Sequence, residues 1–337
     1  MTLQERITSF SKLATRIEEL SDEEFSALAT QVENQNSWFT PEQTKHCLNG
    51  ISHFLDEATL KDWLNGYSIP DNIHSKSIGL LMAGNIPAVG FHDFMCILLS
   101  GHEVHAKLSS SDQVLIKWLA RELINIHPEF GSKIFFEDML KGKEAYIATG
   151  SDNSARYFNY YFGKFPSIIR KNRTSIGILE GGEQKGDFQA LAHDIFQYFG
   201  LGCRNVSKLY IKNKEQLQDF LKAIEGFHFL LGHHKYLNNY EYNKSIYLVN
   251  GESHLDNGFL LLKESEGLVS PISVLYYEYY SDLGDLRVQL QSQSQKIQCI
   301  VSKNGWYPQS VDFGKAQYPS VDDYADHVDT MEFLTNL

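Results

Sequence analysis

A cysteine set between glycines and a cation, where two regular segments meet, is the residue in this chain best suited to chemistry. The stretch YFGLGCRNVSKLYI puts Cys203 after Gly200 and Gly202 and directly before Arg204. A thiolate there can attack an acyl or carbonyl carbon, and the glycines let a substrate come close to the backbone. A buried structural thiol beside a helix C-cap glycine has the same local sequence, so the stretch alone leaves both readings open. The thiol follows the end of an amphipathic helix, whose dipole disfavours an anion. Any lowering of its pKa from about 8.5 has to come from Arg204, Lys208 or a bound cofactor.

Two other stretches place polar groups at strand ends. In AGNIPAVGF, Asn85 follows a short apolar run, and a side-chain amide there can donate to a developing oxyanion; a turn asparagine capping the next helix reads the same way. In IATGSDNSARYF, Thr149, Gly150 and Ser151 join a strand to a helix start, the arrangement that offers backbone N–H groups to an anion. Lys107 ends the run EVHAK and can reach a ribose or phosphate, or simply point into water. His228, His233 and His234 have no metal-ligand spacing, and the GLG at 200 to 202 lacks the third glycine of a dinucleotide fingerprint. No metal is expected.

These groups need a scaffold, and the chain can build one. It has 337 residues, 42% hydrophobic and 21% charged, enough for one large or two ordinary domains. A net charge of −12 argues against nucleic acid as a partner, because phosphate binding needs clustered Lys and Arg. Four scattered cysteines make no disulfide framework. The charged amino-terminal stretch has no apolar core of a signal peptide, and no window is long and apolar enough for a membrane span. A cytoplasmic protein is expected.

Periodicity predicts helices over residues 1 to about 66, beginning in one case at Thr-Pro-Glu (40–42). From residue 77, apolar strand runs alternate with amphipathic helices: SIGLLMA, EVHAKL, KIFFE and EAYIA are strands, with helices between them. A second block starts near RTSIGILEGGE, continues through a helix with Phe188, Leu191, Ile195 and Phe199 on one face, and adds VSKLYI, KSIYLV, GFLLL and ISVLYYEYY as strands. Alternation of this kind predicts an α/β fold with a largely parallel sheet. The expected divisions are a helical segment 1–70, a nucleotide-binding domain 71–178, a catalytic domain 179–310 and a C-terminal segment 311–337.

In this order, strand-Asn-x-Pro, strand-Lys, strand-Thr-Gly-Ser, Glu-Gly-Gly and Gly-x-x-Cys, the chain resembles the aldehyde dehydrogenase superfamily. It is most similar to the acyl-CoA reductase branch, the LuxC type that makes fatty aldehyde in bacterial luminescence. ATGSDNSARYF, RKNRTSIGIL, YFGLGCRNVSKLYI and AQYPSVDDYADHVDTMEFL carry the resemblance, which covers residues 77 to 337. It implies an aldehyde-dehydrogenase-like fold, with a Rossmann-like cofactor domain and an α/β catalytic domain. It also implies that Cys203 is the catalytic thiol, that Asn85 donates to the oxyanion, that Lys107 holds the adenosine ribose, and that Thr149, Gly150 and Ser151 lie by the pyrophosphate. NADPH or NADH is the implied cofactor and a fatty acyl-CoA the implied substrate. A homodimer and an acyl-supplying enzyme are the implied partners.

Two departures bear on the reaction. Hydrolytic members carry Glu-Leu-Gly-Gly, whose Glu activates the deacylating water; here the sequence is LEGGE, so Glu180 is displaced by one position and Glu183 follows the glycines. The segment whose Glu holds the nicotinamide ribose is replaced by GLVSPIS around Ser270 and Pro271. Both changes point toward thioester chemistry, with Glu180 as the acid/base candidate. A cysteine acyltransferase or thioesterase without nicotinamide, and a non-catalytic acyl-binding subunit, are the rival readings.

Overall fold

The structure is a computed structural model that describes residues 1–71 and 74–337. Its first four helices begin where side chains can satisfy the first orphan N–H groups. Helices α1 (Leu3–Glu18) and α2 (Asp22–Gln35) each start with a capping box, Thr2 with Glu5 and Ser21 with Glu24. Thr40 caps α3 (Pro41–Phe54), with proline in its first turn as expected, and Asp56 caps α4 (Glu57–Leu64). Then come β1 (Ser77–Leu81), α5 (Phe91–Leu99), β2 (Glu103–Lys107), α6 (Val114–Ile126), β3 (Ile134–Phe136), β4 (Ala145–Thr149), α7 (Asp152–Phe162) and β5 (Ser167–Arg170).

The chain forms two compact units, the first made of residues 1–172 and 320–337, the second of 173–319. In the first, the strands make a fully parallel sheet in the order β3-β2-β1-β4-β5. The chain builds outward from β1 to β3, then crosses back to place β4 on the other side of β1. The reversal leaves a crevice between the carboxyl ends of β1 and β4, where open α/β sheets bind ligands. Helix α5 packs on β1 and β2, α7 packs on β4 and β5, and α1 covers α5 and α6.

The second unit contains β6 (Thr174–Ile178), α8 (Lys185–Phe196), β7 (Val206–Ile211), α9 (Lys214–Ala223), α10 (His234–Val249), β8 (Leu255–Asp256), β9 (Leu261–Glu264), β10 (Val274–Tyr279), α11 (Leu283–Ser292) and β11 (Ile297–Ser302). Its six strands run β11-β6-β7-β10-β9-β8, parallel except for the β8–β9 pair. Strand β7, at the centre, is buried along its whole length. The chain then returns to the first unit and ends in α12 (Thr330–Thr335). There the fully buried Arg170 guanidinium pairs with Asp93 of α5 and donates to Thr330 Oγ1 at 2.8 Å, tying α12 to β5 and α5.

Three expectations are corrected here. KSIYLV is not a strand but the last part of α10, whose Tyr236, Tyr240, Asn243 and Tyr247 are buried at helical spacing. The helix before the cysteine stops at Phe196, although Phe199 is still buried. Strands β5 and β11 stand where no strand was expected.

Candidate active site

Cys203 lies in a turn between the end of α8 and β7. The backbone leading to it is left-handed at four of five positions, with φ of 52° at Tyr198, 57° at Phe199, 82° at Gly200 and 99° at Gly202. Glycine takes these angles at no steric cost, whereas Tyr198 and Phe199 each cost roughly 1–2 kcal/mol. Burial holds them there: Tyr198 is 8% and Phe199 6% exposed, and the Phe199 ring lies tilted against His233 with centroids 4.3 Å apart. From the other side, Ser175 Oγ of β6 donates to the Cys203 carbonyl at 3.0 Å. The side-chain oxygen of Asn205 is buried beside Gly200 and, among the described residues, meets no donor. Strain and an unmet acceptor thus gather at the thiol.

The cysteines differ in reactivity. Burial raises the thiol pKa of Cys47, with Asp112 adding to the effect, and likewise that of Cys96, with Asp93 adding. Both are therefore inert packing thiols. Cys203 is half-buried on a turn, and Cys299, also half-buried, lies within β11.

The two acids near the Gly-Gly turn are held differently. Glu183 folds back over the left-handed Gly181 and Gly182, accepting the N–H groups of Glu180 at 2.8 Å and Gly181 at 3.1 Å, and the amide of Gln216 at 3.3 Å. Its carboxylate is a structural cap. Glu180 is exposed, and its base is firm because the preceding Leu179 receives the Tyr280 hydroxyl on its carbonyl at 2.9 Å and donates to Tyr210. Burial, followed by the charges of Glu180 and Glu183, pushes that Tyr280 hydroxyl up to about 12, so it stays a donor.

In the first unit, the remaining candidates follow three adjacent strands, in the order β2-β1-β4. Lys107 ends β2 and is exposed; Asn85, exposed, follows β1; Thr149 ends β4, and Ser151 caps α7 by accepting from Ser154 N–H at 3.2 Å. These loops have no room for extra side chains. A Cβ at Gly84 would meet Ser109 at 2.5 Å, and one at Gly150 would meet the Phe158 ring at 2.7 Å. An ammonium, an amide, hydroxyls and a helix N-terminus along one sheet edge suit an anionic, hydroxyl-rich ligand.

Lys208 does not serve the thiol. It is fully buried in β7, where it pairs with Glu278 of β10 and lies over the Tyr210 ring. Of the two cations considered for Cys203, Arg204 is the one on the turn. Sequence reasoning missed Asp194, a carboxylate on the polar-looking stretch of α8 that is 1% exposed. Its only signal was an acid in register with the apolar face of a helix. A cleft of about 940 Å³ is lined by Ile7, Lys61, Leu64 and Ile69 among others; none of the candidate residues borders it. Among the described residues, no His, Cys, Asp and Glu gather into a metal-binding group, and no helix is long and apolar enough to cross a membrane.

No family model and no curated protein sequence matches the chain. Solved structures do. An aldehyde dehydrogenase of Mycobacterium tuberculosis, complexed with NAD+, aligns with 100% of this chain and 84% of its own, at 13% identity and a TM-score of 0.67. An acetylating aldehyde dehydrogenase from Geobacillus thermoglucosidasius covers 99% of this chain and 90% of its own, at 10% identity and a TM-score of 0.65. An NADP-dependent enzyme of E. coli covers 90% and 73%, at 14% identity and a TM-score of 0.64. The chain has the aldehyde-dehydrogenase-like fold.

Proposed function

We propose that this protein is an NAD(P)H-dependent oxidoreductase that reduces a fatty acyl-CoA thioester to the aldehyde through Cys203. The reading is carried by the half-buried thiol on a strained left-handed turn, in a fold shared with dehydrogenases that include an acetylating member. The first unit is the cofactor-binding domain: Lys107 holds the adenosine ribose, and Thr149, Gly150 and Ser151 the pyrophosphate. The second is the catalytic domain.

In the first step the Cys203 thiolate attacks the thioester carbonyl. The oxyanion is stabilised by the backbone N–H at the cysteine. The C–S bond to coenzyme A then breaks, and its thiolate leaves with the electron pair. The acyl group remains on Cys203 as a thioester. NADPH or NADH, which Lys107, Thr149, Gly150 and Ser151 would hold, would supply the hydride needed to reduce this thioester to a thiohemiacetal on Cys203. Collapse of the thiohemiacetal releases the aldehyde and restores the Cys203 thiolate, with Glu180 moving the proton. The capped Glu183 lacks the freedom to activate water, which favours reduction over hydrolysis. The proposed setting is the cytoplasm, with a homodimer and an acyl-supplying enzyme as partners.

The test is NADPH oxidation with long-chain acyl-CoA. Cys203→Ala loses essentially all turnover. Wild-type turnover in the cysteine variant would overturn the mechanism.

A further inference from the structure

Helix α6 borrows its cap from another helix. Its own N-cap residue, Gln113, leaves the first turn uncapped, and the Gln113 amide oxygen accepts from the Lys117 ammonium at 3.2 Å instead. The cap comes from Gln35, half-buried at the last position of α2. Its Oε1 accepts the N–H groups of Gln113 at 2.9 Å and Val114 at 3.0 Å. The other end of the same amide donates from Nε2 to the Ser110 carbonyl at 3.0 Å. Between these contacts the chain makes a tight turn, in which Ser109 accepts the Ser111 N–H on Oγ at 3.2 Å and the Asp112 N–H on its carbonyl at 3.1 Å. The bare Gly84 lets Ser109 close against the loop that carries Asn85. One glutamine amide thus spans the turn that follows Lys107.

We infer that Gln35 is a positioning residue for the dinucleotide: from outside the sheet it fixes the turn at the carboxyl end of β2. This rests on the proposed reading of the first unit as the cofactor-binding domain. In a dinucleotide-binding sheet the ribose is read about 20 residues beyond the first βα turn, at the end of the next strand. Here that place carries Lys107 and Ser110, both exposed. Lys107 is set by the strand ladder, its carbonyl accepting the Met82 N–H at 3.1 Å. Ser110 lies past the strand, and its peptide is oriented by the Gln35 amide. The two tasks of that amide are chemically separable. Capping α6 needs an acceptor, holding Ser110 needs a donor, and a glutamine supplies both.

The experiment compares Gln35→Glu and Gln35→Met with the parent protein in Tm, in the Kd for NADPH and for NADH, and in turnover at saturating nucleotide. Gln35→Glu keeps an acceptor for both N–H groups of α6 and loses the donor to Ser110. Its Kd for the nucleotide that the parent prefers rises about tenfold, the factor that about 1.4 kcal/mol of hydrogen bonding carries. Gln35→Met loses acceptor and donor together; its Kd rises at least as far, and its Tm falls below that of Gln35→Glu. Because the methionine carries no charge, a rise shared by both variants comes from the lost donor and not from an added carboxylate. In both, KM for the nucleotide rises with Kd while kcat stays at the parent value. A parent Kd in folded Gln35→Glu overturns the inference, as does a loss confined to kcat. If Gln35→Met does not fold, Gln35→Glu, which keeps the cap, still decides. A parent protein that binds neither nucleotide overturns the proposed function, and the inference falls with it.

Discussion

Lys208 of β7 and Glu278 of β10 form an ion pair across neighbouring strands, and the lysine is fully buried. A lysine five residues after a thiol looks in the sequence like a cation available to it, but its charge is committed to Glu278. Removing the carboxylate alone strands an ammonium in the core, so Glu278→Gln costs about 3 kcal/mol in urea unfolding. Lys208→Met removes the charge and keeps the volume. It leaves the alkylation rate of Cys203 unchanged; a slowed rate would return Lys208 to the thiol's surroundings.

In the proposed mechanism the Glu180–Glu183 turn separates a structural acid from a chemical one. Glu183→Ala leaves the N–H groups of Glu180 and Gly181 without their acceptor and lowers stability by about 1 kcal/mol, read as a fall in Tm. Glu180→Gln leaves Tm alone and slows NADPH-dependent turnover. If Glu183→Ala instead spared Tm and stopped turnover, the two roles would be reversed.

The Arg170–Asp93 pair tests how the C-terminal segment is retained. Both side chains are buried, and Thr330 of α12 completes the cluster. Asp93→Ala leaves an unpaired guanidinium in the core and costs about 3–5 kcal/mol. Limited proteolysis of that variant cuts ahead of α12 first. A stability equal to the parent's would mean the cluster contributes nothing.

Stability falls as pH rises toward neutrality. Burial lifts Asp112, 3% exposed, to about 7, the Ala88 backbone offsetting only part of the effect, and burial lifts Asp194 to a similar value. Both lie above the ordinary 3.8, so the folded state keeps protons that the unfolded chain has released. Their contribution is complete below the ordinary carboxylate range and is lost as pH climbs to about 7. Apart from the weak influence of the Ala88 backbone, Asp112 has no hydrogen-bond partner among the described residues, so Asp112→Asn breaks little. The variant flattens the slope and gains on the order of 2 kcal/mol at mildly alkaline pH. Identical slopes in chemical unfolding of parent and variant would refute this.

Much of this architecture is legible in residue patterns because parallel strands buried on both faces read as continuous apolar runs. VSKLYI coincides with β7, and Lys107 and Thr149 each end a strand as expected. KSIYLV misleads because its β-branched and aromatic residues suit a strand, while tyrosines further upstream already commit it to α10. SIIR and IQCIVS, which form the edge strands β5 and β11, are short apolar runs bounded or broken by polar residues. The helical period running through Phe199 gives no warning of the left-handed kink at Tyr198, since the ring is buried either way. The partners of Lys208 and Asp194 lie 70 and 120 residues or more away, a relation that spacing does not carry.

The most direct test of the central claim is the intact mass of the protein after mixing with a long-chain acyl-CoA, with and without NADPH. The account predicts one acyl adduct, mapped to Cys203, that disappears when NADPH is added while aldehyde accumulates. An adduct indifferent to the nicotinamide would make the protein an acyltransferase or thioesterase. No adduct at any chain length would contradict the account, leaving Cys203 a structural thiol on a strained turn.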